Sequence, residues 1–293
     1  MQHLPIEELI AQLDTYTGFT HFELMEQAAA RQEEITPHLL NLLEQMLADP
    51  HAWTDPAEHN INCYLLILLG HFAETAAHQK ILSLCRLPGE LTDQLFGDFI
   101  GHSLPGVLLR TSGGDLSGVR QLMLDPDANE FVRWNAGTAL CLAVFDELLD
   151  HDETVIFFSQ LLKERNAAEA DSSFWTGVLD SLLLLHPAAA MEEIRRGFAD
   201  ELFEKQYTYL EDVEEIVAAG ADSRGERLKR DYQRCIPENF RDYMSWWDEP
   251  ARREQTSAFP HERETNHAAN KKRAKSRSKN KQAKKSRRKN RKK

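Results

Sequence analysis

Apolar residues recur along this chain three and four positions apart, the spacing that lines one face of an α-helix. Ile6, Leu9, Ile10 and Leu13 form the first such stripe. Leu39, Leu40, Leu42, Leu43, Met46 and Leu47 form a stronger one. Asp49-Pro50 stops it, because the residue before a proline is pushed out of the helical region. Tyr64, Leu65, Leu68, Leu69 and Phe72 make a third stripe, and Ile81, Leu82 and Cys85 follow it up to Pro88-Gly89. Further on, the spacing predicts one helix from Phe131 to Phe145 and its partner from Val155 to Leu162. It predicts another pair, Phe174 to Leu185 and Met191 to Phe203, on either side of His186-Pro187. Val213 to Ala219 ends at Gly220, a helix-closing residue, and a last helix runs over roughly residues 223–235. No alternating β-branched run with hairpin turn residues interrupts the series, so the expected fold is all-α.

The helices come in pairs. Their first members begin near Asn60, Asp98, Glu130, Ser172 and Thr208, at intervals of 38, 32, 42 and 36 residues. A loose period of this kind marks a solenoid, and it fits degenerate HEAT-like repeats better than a strict 34-residue repeat. In such an array no pair buries its apolar face alone, and each stacks on its neighbours. EFVRWNAGTALCLAVFDELL, residues 130–149, is the clearest unit: Ala136 and Ala139 allow close helix approach, and Leu140 and Val144 fill the gap. The expected architecture is a right-handed α-solenoid of HEAT-like helix pairs over residues 1–250, followed by a disordered C-terminal tail over residues 251–293. An irregular helical bundle with the same pairing is the alternative.

Three stretches carry a resemblance to a known family: IEELIAQL near the N-terminus, GDFIGHSLPGVLLRTSGGDLSGVRQLMLDPDANEFVRWNAGTAL in the centre, and the repeat pairs after it. Over about residues 1–235 the chain resembles the bacterial domain-of-unknown-function family 1186, a HEAT-like helical repeat group. The resemblance implies a fold and no activity. Many such chains end in a short cysteine-rich zinc tail of the SEC-C type. Here no cysteine follows Cys235, and a basic tail stands in that place.

Charge sharpens the division at the end of the chain. The segment 271–293 holds 15 of the 35 basic residues and none of the 47 acidic ones, so residues 1–270 keep 20 against 47, a formal charge of −27. From about Ala251 the apolar content collapses, and such a segment cannot bury enough surface to offset the entropy of ordering. The body repels nucleic acid and anionic membrane, so any polyanion must be met by the tail. The residues that would meet it are Lys271, Lys272, Arg273, Lys275, Arg277, Lys279, Lys281, Lys284, Lys285, Arg287, Arg288, Lys289, Arg291, Lys292 and Lys293. No aromatic residue lies among them to stack on bases. What remains is phosphate neutralisation, which is independent of sequence and strongly salt-dependent.

GHSLPG, residues 101–106, resembles the GxSxG nucleophile elbow, but Pro105 holds the fifth position, and the elbow also needs a preceding strand. The stretch reads as a kink or break between helices. LDPDANEF, residues 124–131, places Asp125, Asp127 and Asn129 like a calcium loop, yet Glu130 stands where the loop needs glycine and Ala136 where it needs a bidentate Glu. It reads as a turn whose polar residue caps the next helix. His71, Glu74 and His78, and His59 with Cys63, have no HExxH spacing and are read as solvated or capping side chains. SGGDLSG, residues 112–118, lacks the lysine and the strand of a phosphate loop and is read as a flexible turn between repeats.

Cys63, Cys85, Cys141 and Cys235 are widely spaced with no CxxC, which removes a zinc ribbon or a thioredoxin-like motif and leaves buried thiols in a reducing compartment. The start MQHLPIEELIAQLD lacks the basic end and apolar core of a signal peptide. The longest apolar run, CYLLILLG, is far shorter than the roughly 20 residues that span a bilayer, and no lipidation motif ends the chain. No membrane insertion and a cytoplasmic location are expected.

The functional expectation is a non-enzymatic scaffold or adaptor. Its body holds a protein partner, and its basic tail tethers it to RNA, ribosomes or DNA. Trp246 and Trp247, in YMSWWDEP, either cap the open end of the array or anchor a partner, since Trp is enriched in binding hot spots. Two other readings stand beside this one. In one the tail folds onto the acidic body as an intramolecular lid. In the other the chain is an enzyme resembling HEAT-like lyases, for which the sequence offers no nucleophile-and-base set. No cofactor, metal ligand or catalytic residue is assigned.

Overall fold

A computed structural model describes residues 4–15, 21–55, 58–205 and 207–244. The chain divides into two units, Met1–Ser245 and Trp246–Lys293. The second lies outside the described residues, as do Trp246, Trp247 and all fifteen basic tail residues.

The protein is all-α, with no strand among the described residues. The order is α1 (Ile6–Asp14), α2 (Phe22–Ala29), α3 (Gln32–Ala48), α4 (Asn62–His71), α5 (His78–Cys85), α6 (Gly89–Phe96), α7 (Phe99–His102), α8 (Leu104–Thr111) and α9 (Ser117–Leu124). Then come α10 (Glu130–Phe145), α11 (His151–Glu164), α12 (Phe174–Leu184), α13 (Met191–Ala199), α14 (Leu210–Ala218), α15 (Ala221–Cys235) and α16 (Phe240–Met244). Short 3-10 turns lie at Pro50–Trp53, Thr75–Ala77 and Pro187–Ala190.

Packing sorts the helices into two rows. In one, α4 lies against α8, α8 against α10, and α10 against α12. In the other, α3 lies against α5, α5 against α9, and α11 against α13. The first row explains why CYLLILLG and FWTGVLDSLLL are apolar on nearly every face. These helices have neighbours on several sides, and Leu65, Leu68, Trp175, Val178 and Leu182 are fully buried. A helix that is apolar all round is a buried one. The second row is amphipathic, with Leu39, Leu43 and Met46 turned inward from α3 and its charged residues turned out.

The helix boundaries follow local chemistry. Asn129 caps α10, its side-chain oxygen accepting from the backbone N–H of Phe131 at 2.8 Å and of Val132 at 3.3 Å. The turn at 124–131 thus caps the next helix through Asn129, and Asp150 caps α11 in the same way by accepting from Glu153 N–H at 2.9 Å. Three helices close through a residue past their end that is left-handed without being glycine and whose successor bonds back into the last turn. Ala73, Glu147 and Glu201 adopt φ of 51°, 57° and 54° after α4, α10 and α13. In each case the following N–H reaches back to a carbonyl within the last turn: Glu74 to Leu69, Leu148 to Ala143, and Leu202 to Gly197. This is the Schellman closure. It ends α13 at Ala199 rather than at Phe203, and Phe203 turns back to pack on Gly197 and Phe198.

The last helices depart from simple stacking. α15 crosses α8, α10 and α12, and α16 reaches α2. The C-terminal segment thus runs back over the first row instead of extending it.

Candidate functional site

Where α15 crosses α12, one carboxylate organises a polar cluster. Asp180 is the only charged residue of α12. Its Oδ1 accepts the Tyr207 hydroxyl at 2.6 Å, and its Oδ2 accepts the Trp134 indole N–H at 3.2 Å. Arg227 of α15 places a guanidinium nitrogen 3.6 Å from Oδ1. The Asp180 side chain is 17% exposed. Burial pushes its carboxyl above the usual range, while Tyr207, Arg227 and Trp134 favour the ionised form in that order. The Tyr207 hydroxyl is pushed up in turn, by burial and by the Asp180 charge.

The aromatic walls are set by backbone. Gly177 lies one turn before Asp180 on α12. A Cβ there would come within 2.5 Å of the Trp134 ring, so glycine is what lets the indole lie on the helix. Tyr207 meets that indole edge-on, with centroids 5.3 Å apart at 74°. Cys141 lies on α10 nearby, its thiol donating to the Ser181 carbonyl at 3.4 Å and raised well above the ordinary thiol value by burial.

α15 meets this surface with one face. Arg227, Leu228, Asp231, Tyr232 and Cys235 recur at helical spacing, and Lys229, Arg230 and Gln233 between them are exposed. Leu228 and Cys235 are buried. Tyr232 lies 4.6 Å from the Phe145 ring and donates its hydroxyl to Asp146 at 3.2 Å. Arg234 donates to the Gly101 carbonyl at 3.1 Å and to Asp231 at 3.0 Å. Beyond the turn, Phe240 packs on His71 at 4.7 Å and Arg241 lies 4.8 Å over the Phe22 ring. Burial and the Arg110 guanidinium hold His71 below the usual histidine range.

The motifs singled out in the sequence take structural places. In GHSLPG, Ser103 divides α7 from α8, and Gly106 lets Cys235 approach. SGGDLSG supplies the turn after α8, with Gly113 and Gly114 at φ of 60° and 92°, and then the first two residues of α9. His71 ends α4 and His78 begins α5. His59 stacks on Trp53 at 4.3 Å and approaches Asp14 at 3.1 Å. Cys85, Cys141 and Cys235 are buried and Cys63 is partly so, and all four are free. No group of three or more His, Cys, Asp or Glu residues is placed to hold a metal ion among the described residues.

The cluster around Asp180 was not singled out from the sequence. The signal was present in one respect, since a lone carboxylate stands in an otherwise uncharged, apolar eleven-residue helix. Its partners come from 46, 27 and 47 positions away, and no local pattern joins them. Chemically, the arrangement presents a carboxylate flanked by two aromatic rings and accepts a guanidinium from a passing helix.

Two rows of packed helices, with a polar helix drawn back across one of them, define an all-α protein. Its affiliation follows from comparison: the chain belongs to the family described as "Protein of unknown function (DUF1186)", whose model matches residues 4–250. An uncharacterised protein of Chlamydia muridarum (strain MoPn / Nigg) is 26% identical over 215 residues, covering 73% of this chain and 85% of its own length. An uncharacterised protein of Chlamydia trachomatis serovar D is 26% identical over 215 residues, covering 73% of this chain and 84% of its own. No solved structure matches the chain. No described helix is long and apolar enough to cross a membrane.

Proposed function

We propose that the protein is a non-enzymatic scaffold of the cytoplasm. A helical domain over residues 1–250 holds a protein partner, and the tail over residues 251–293 tethers the assembly to nucleic acid or ribosomes. The observation that carries this reading is the charge split: fifteen cations without an acid in the last 23 residues, on a body of −27. Such a tail releases counterions from phosphate regardless of base sequence. Trp246 and Trp247, in the last residues of that domain, are the proposed aromatic anchor for the partner.

The test compares the full chain with one ending at Asn266, titrated onto labelled ribosomal RNA and generic RNA over a range of salt. The shorter chain keeps every described residue. The full chain is expected to bind with a steep salt slope, reaching roughly −10 in log–log form if all fifteen cations engage a single strand. The shorter chain is expected not to bind. Failure of the full chain to bind at low salt removes the tethering role.

A second reading has its own support. Glu211, Asp212, Glu214 and Glu215 make α14 acidic, with no basic residue on that helix, and a +15 tail is complementary to such a surface. A tail held there in cis would be released by a polyanion.

A further inference from the structure

The segment that crosses the first row shows what that face accepts. We infer that the face formed by α8, α10 and α12 receives a basic amphipathic helix from a partner protein, and that α15 occupies it in cis until the partner arrives. This rests on the reading that the helical body holds a protein partner, and it states which face does so and for what chemistry.

Several observations converge on it. α15, ADSRGERLKRDYQRC, is dominated by charge. Of its described side chains only Leu228 and Cys235 are buried, whereas nearly all of α12 is. α15 is therefore seated by a narrow stripe, Leu228, Tyr232 and Cys235 at i, i+4 and i+7, the anchor spacing of a helix lying in a groove. Its cation meets Asp180 at 3.6 Å, longer than the roughly 2.7–2.9 Å of a close charge-assisted hydrogen bond. The receiving face is only partly covered. Phe145, the last residue of α10, remains 39% exposed beside Tyr232, Leu148 in the turn after it is 46% exposed, and Tyr207, bonded to Asp180, is 41% exposed. At the other end of α15, Gly220 with φ of 81° joins it to α14, a joint where glycine leaves the backbone more conformations than any other residue would. The face thus offers the carboxylates of Asp180 and Asp146 beside exposed aromatic and aliphatic surface. A basic helix with apolar anchors at i, i+4 and i+7 matches both components better than an acidic or uncharged one.

The test uses the full chain and a synthetic labelled peptide of residues 221–244 as the stand-in helix. One protein is wild type. In a second, Arg227→Glu and Leu228→Asp unseat α15. A third adds Asp180→Ala to that pair. A face open in one molecule in ten or fewer lowers apparent affinity at least about ten-fold. The unseated protein is therefore expected to bind the peptide at least about ten-fold more tightly than wild type, and Asp180→Ala is expected to lose most of that gain. If the unseated protein keeps its helicity and a cooperative thermal transition yet binds no more tightly than wild type, the inference is overturned. If the variant does not fold, amide exchange in wild type decides. Amides of α15 are expected to exchange through local opening well before those of α10 and α12, and equal protection overturns the inference. RNA titration of the same proteins separates the two proposals. Loss of RNA binding by wild type would sink the tail reading alone, and absence of a peptide gain would sink this one alone.

Discussion

Gly106 of α8 lies directly beneath the carbonyl oxygen of Cys235, the last residue of α15, with no room between them for a methyl group. The neighbour is backbone, which cannot rotate away as a side chain would. Gly106→Ala gains helix propensity, yet it must lift the end of α15 from α8, and overpacking of this kind costs about 1–3 kcal/mol. The expected result is a net loss of stability in urea unfolding, with faster amide exchange confined to α15 and α16. Gly101→Ala in α7, where a Cβ meets nothing within 4 Å, is the control and is expected to be neutral or stabilising.

Ala73 closes α4 in the left-handed region, at φ of 51°. An L-residue there carries about 1–2 kcal/mol of strain, while glycine adds about 0.5–1 kcal/mol of chain entropy to the unfolded state. Ala73→Gly is thus expected to be neutral to stabilising by up to about 1 kcal/mol, read as a small upward shift of the urea midpoint with unchanged slope. A loss of stability would show that the conformation carries no strain at this site.

Asn129 joins two elements, because its oxygen caps α10 while its amide donates to Asp93 at 2.8 Å and to the Gly89 carbonyl at 3.2 Å. Asn129→Asp keeps the capping oxygen but sets a second carboxylate against Asp93. Burial already raises the Asp93 carboxyl, with Glu130 nearby adding to the effect. Like charges at this distance raise the acid values of both groups in the folded state. The folded protein then holds a proton that the unfolded chain has released, so stability falls as pH rises above the ordinary carboxylate range. The variant is expected to lose about 2 kcal/mol or more at neutral pH and to recover part of it near pH 4, in urea titrations at the two values.

Burial pushes the thiols of Cys63 and Cys85 up to about 12 and that of Cys235 up to about 11, from an ordinary 9.0. Their folded values are raised, so the folded state keeps protons that the unfolded chain gives up. Each thiol accordingly lowers stability by as much as roughly 1.4 kcal/mol per pH unit once pH passes the ordinary value. Stability is expected to be level from pH 7 to 8 and to fall steeply between pH 9 and 11. At pH 8 the native protein is expected to react with a thiol reagent far more slowly than the urea-unfolded chain. Fast labelling of all four cysteines in the native protein would contradict this.

Much of the helical architecture was legible because its causes are local. The stripes from Leu39, Phe131 and Val155 fall within α-helices, those from Tyr64, Phe174 and Val213 overrun theirs by one residue, and Asn129 caps as its turn implies. The helices α6 and α9 escaped because each is eight residues long and punctuated by Gly, whereas the break that separates α7 from α8 was legible in GHSLPG. Gly89 opens α6 where the sequence suggested only a stop, and α3 runs through Pro37 back to Gln32. The end of α13 escaped because Glu201 takes the left-handed conformation that glycine usually supplies. The Asp180 cluster and the return of α15 escaped for a different reason. They join residues such as Gly101 and Arg234, 133 positions apart, and periodicity holds no information about contacts of that range.

The return of the C-terminal segment also changes what kind of mechanical object the helical body is. An open stack of helix pairs behaves as a spring, since each pair answers only to its neighbours. Here Arg241 rests on Phe22 and Phe240 on His71, so a residue near the end of the body is clasped to one near its beginning. Tension between the two ends would have to open that clasp before any pair could slide on the next. A chain emerging from synthesis would likewise expose the face of α8, α10 and α12 until its last described helices had been made.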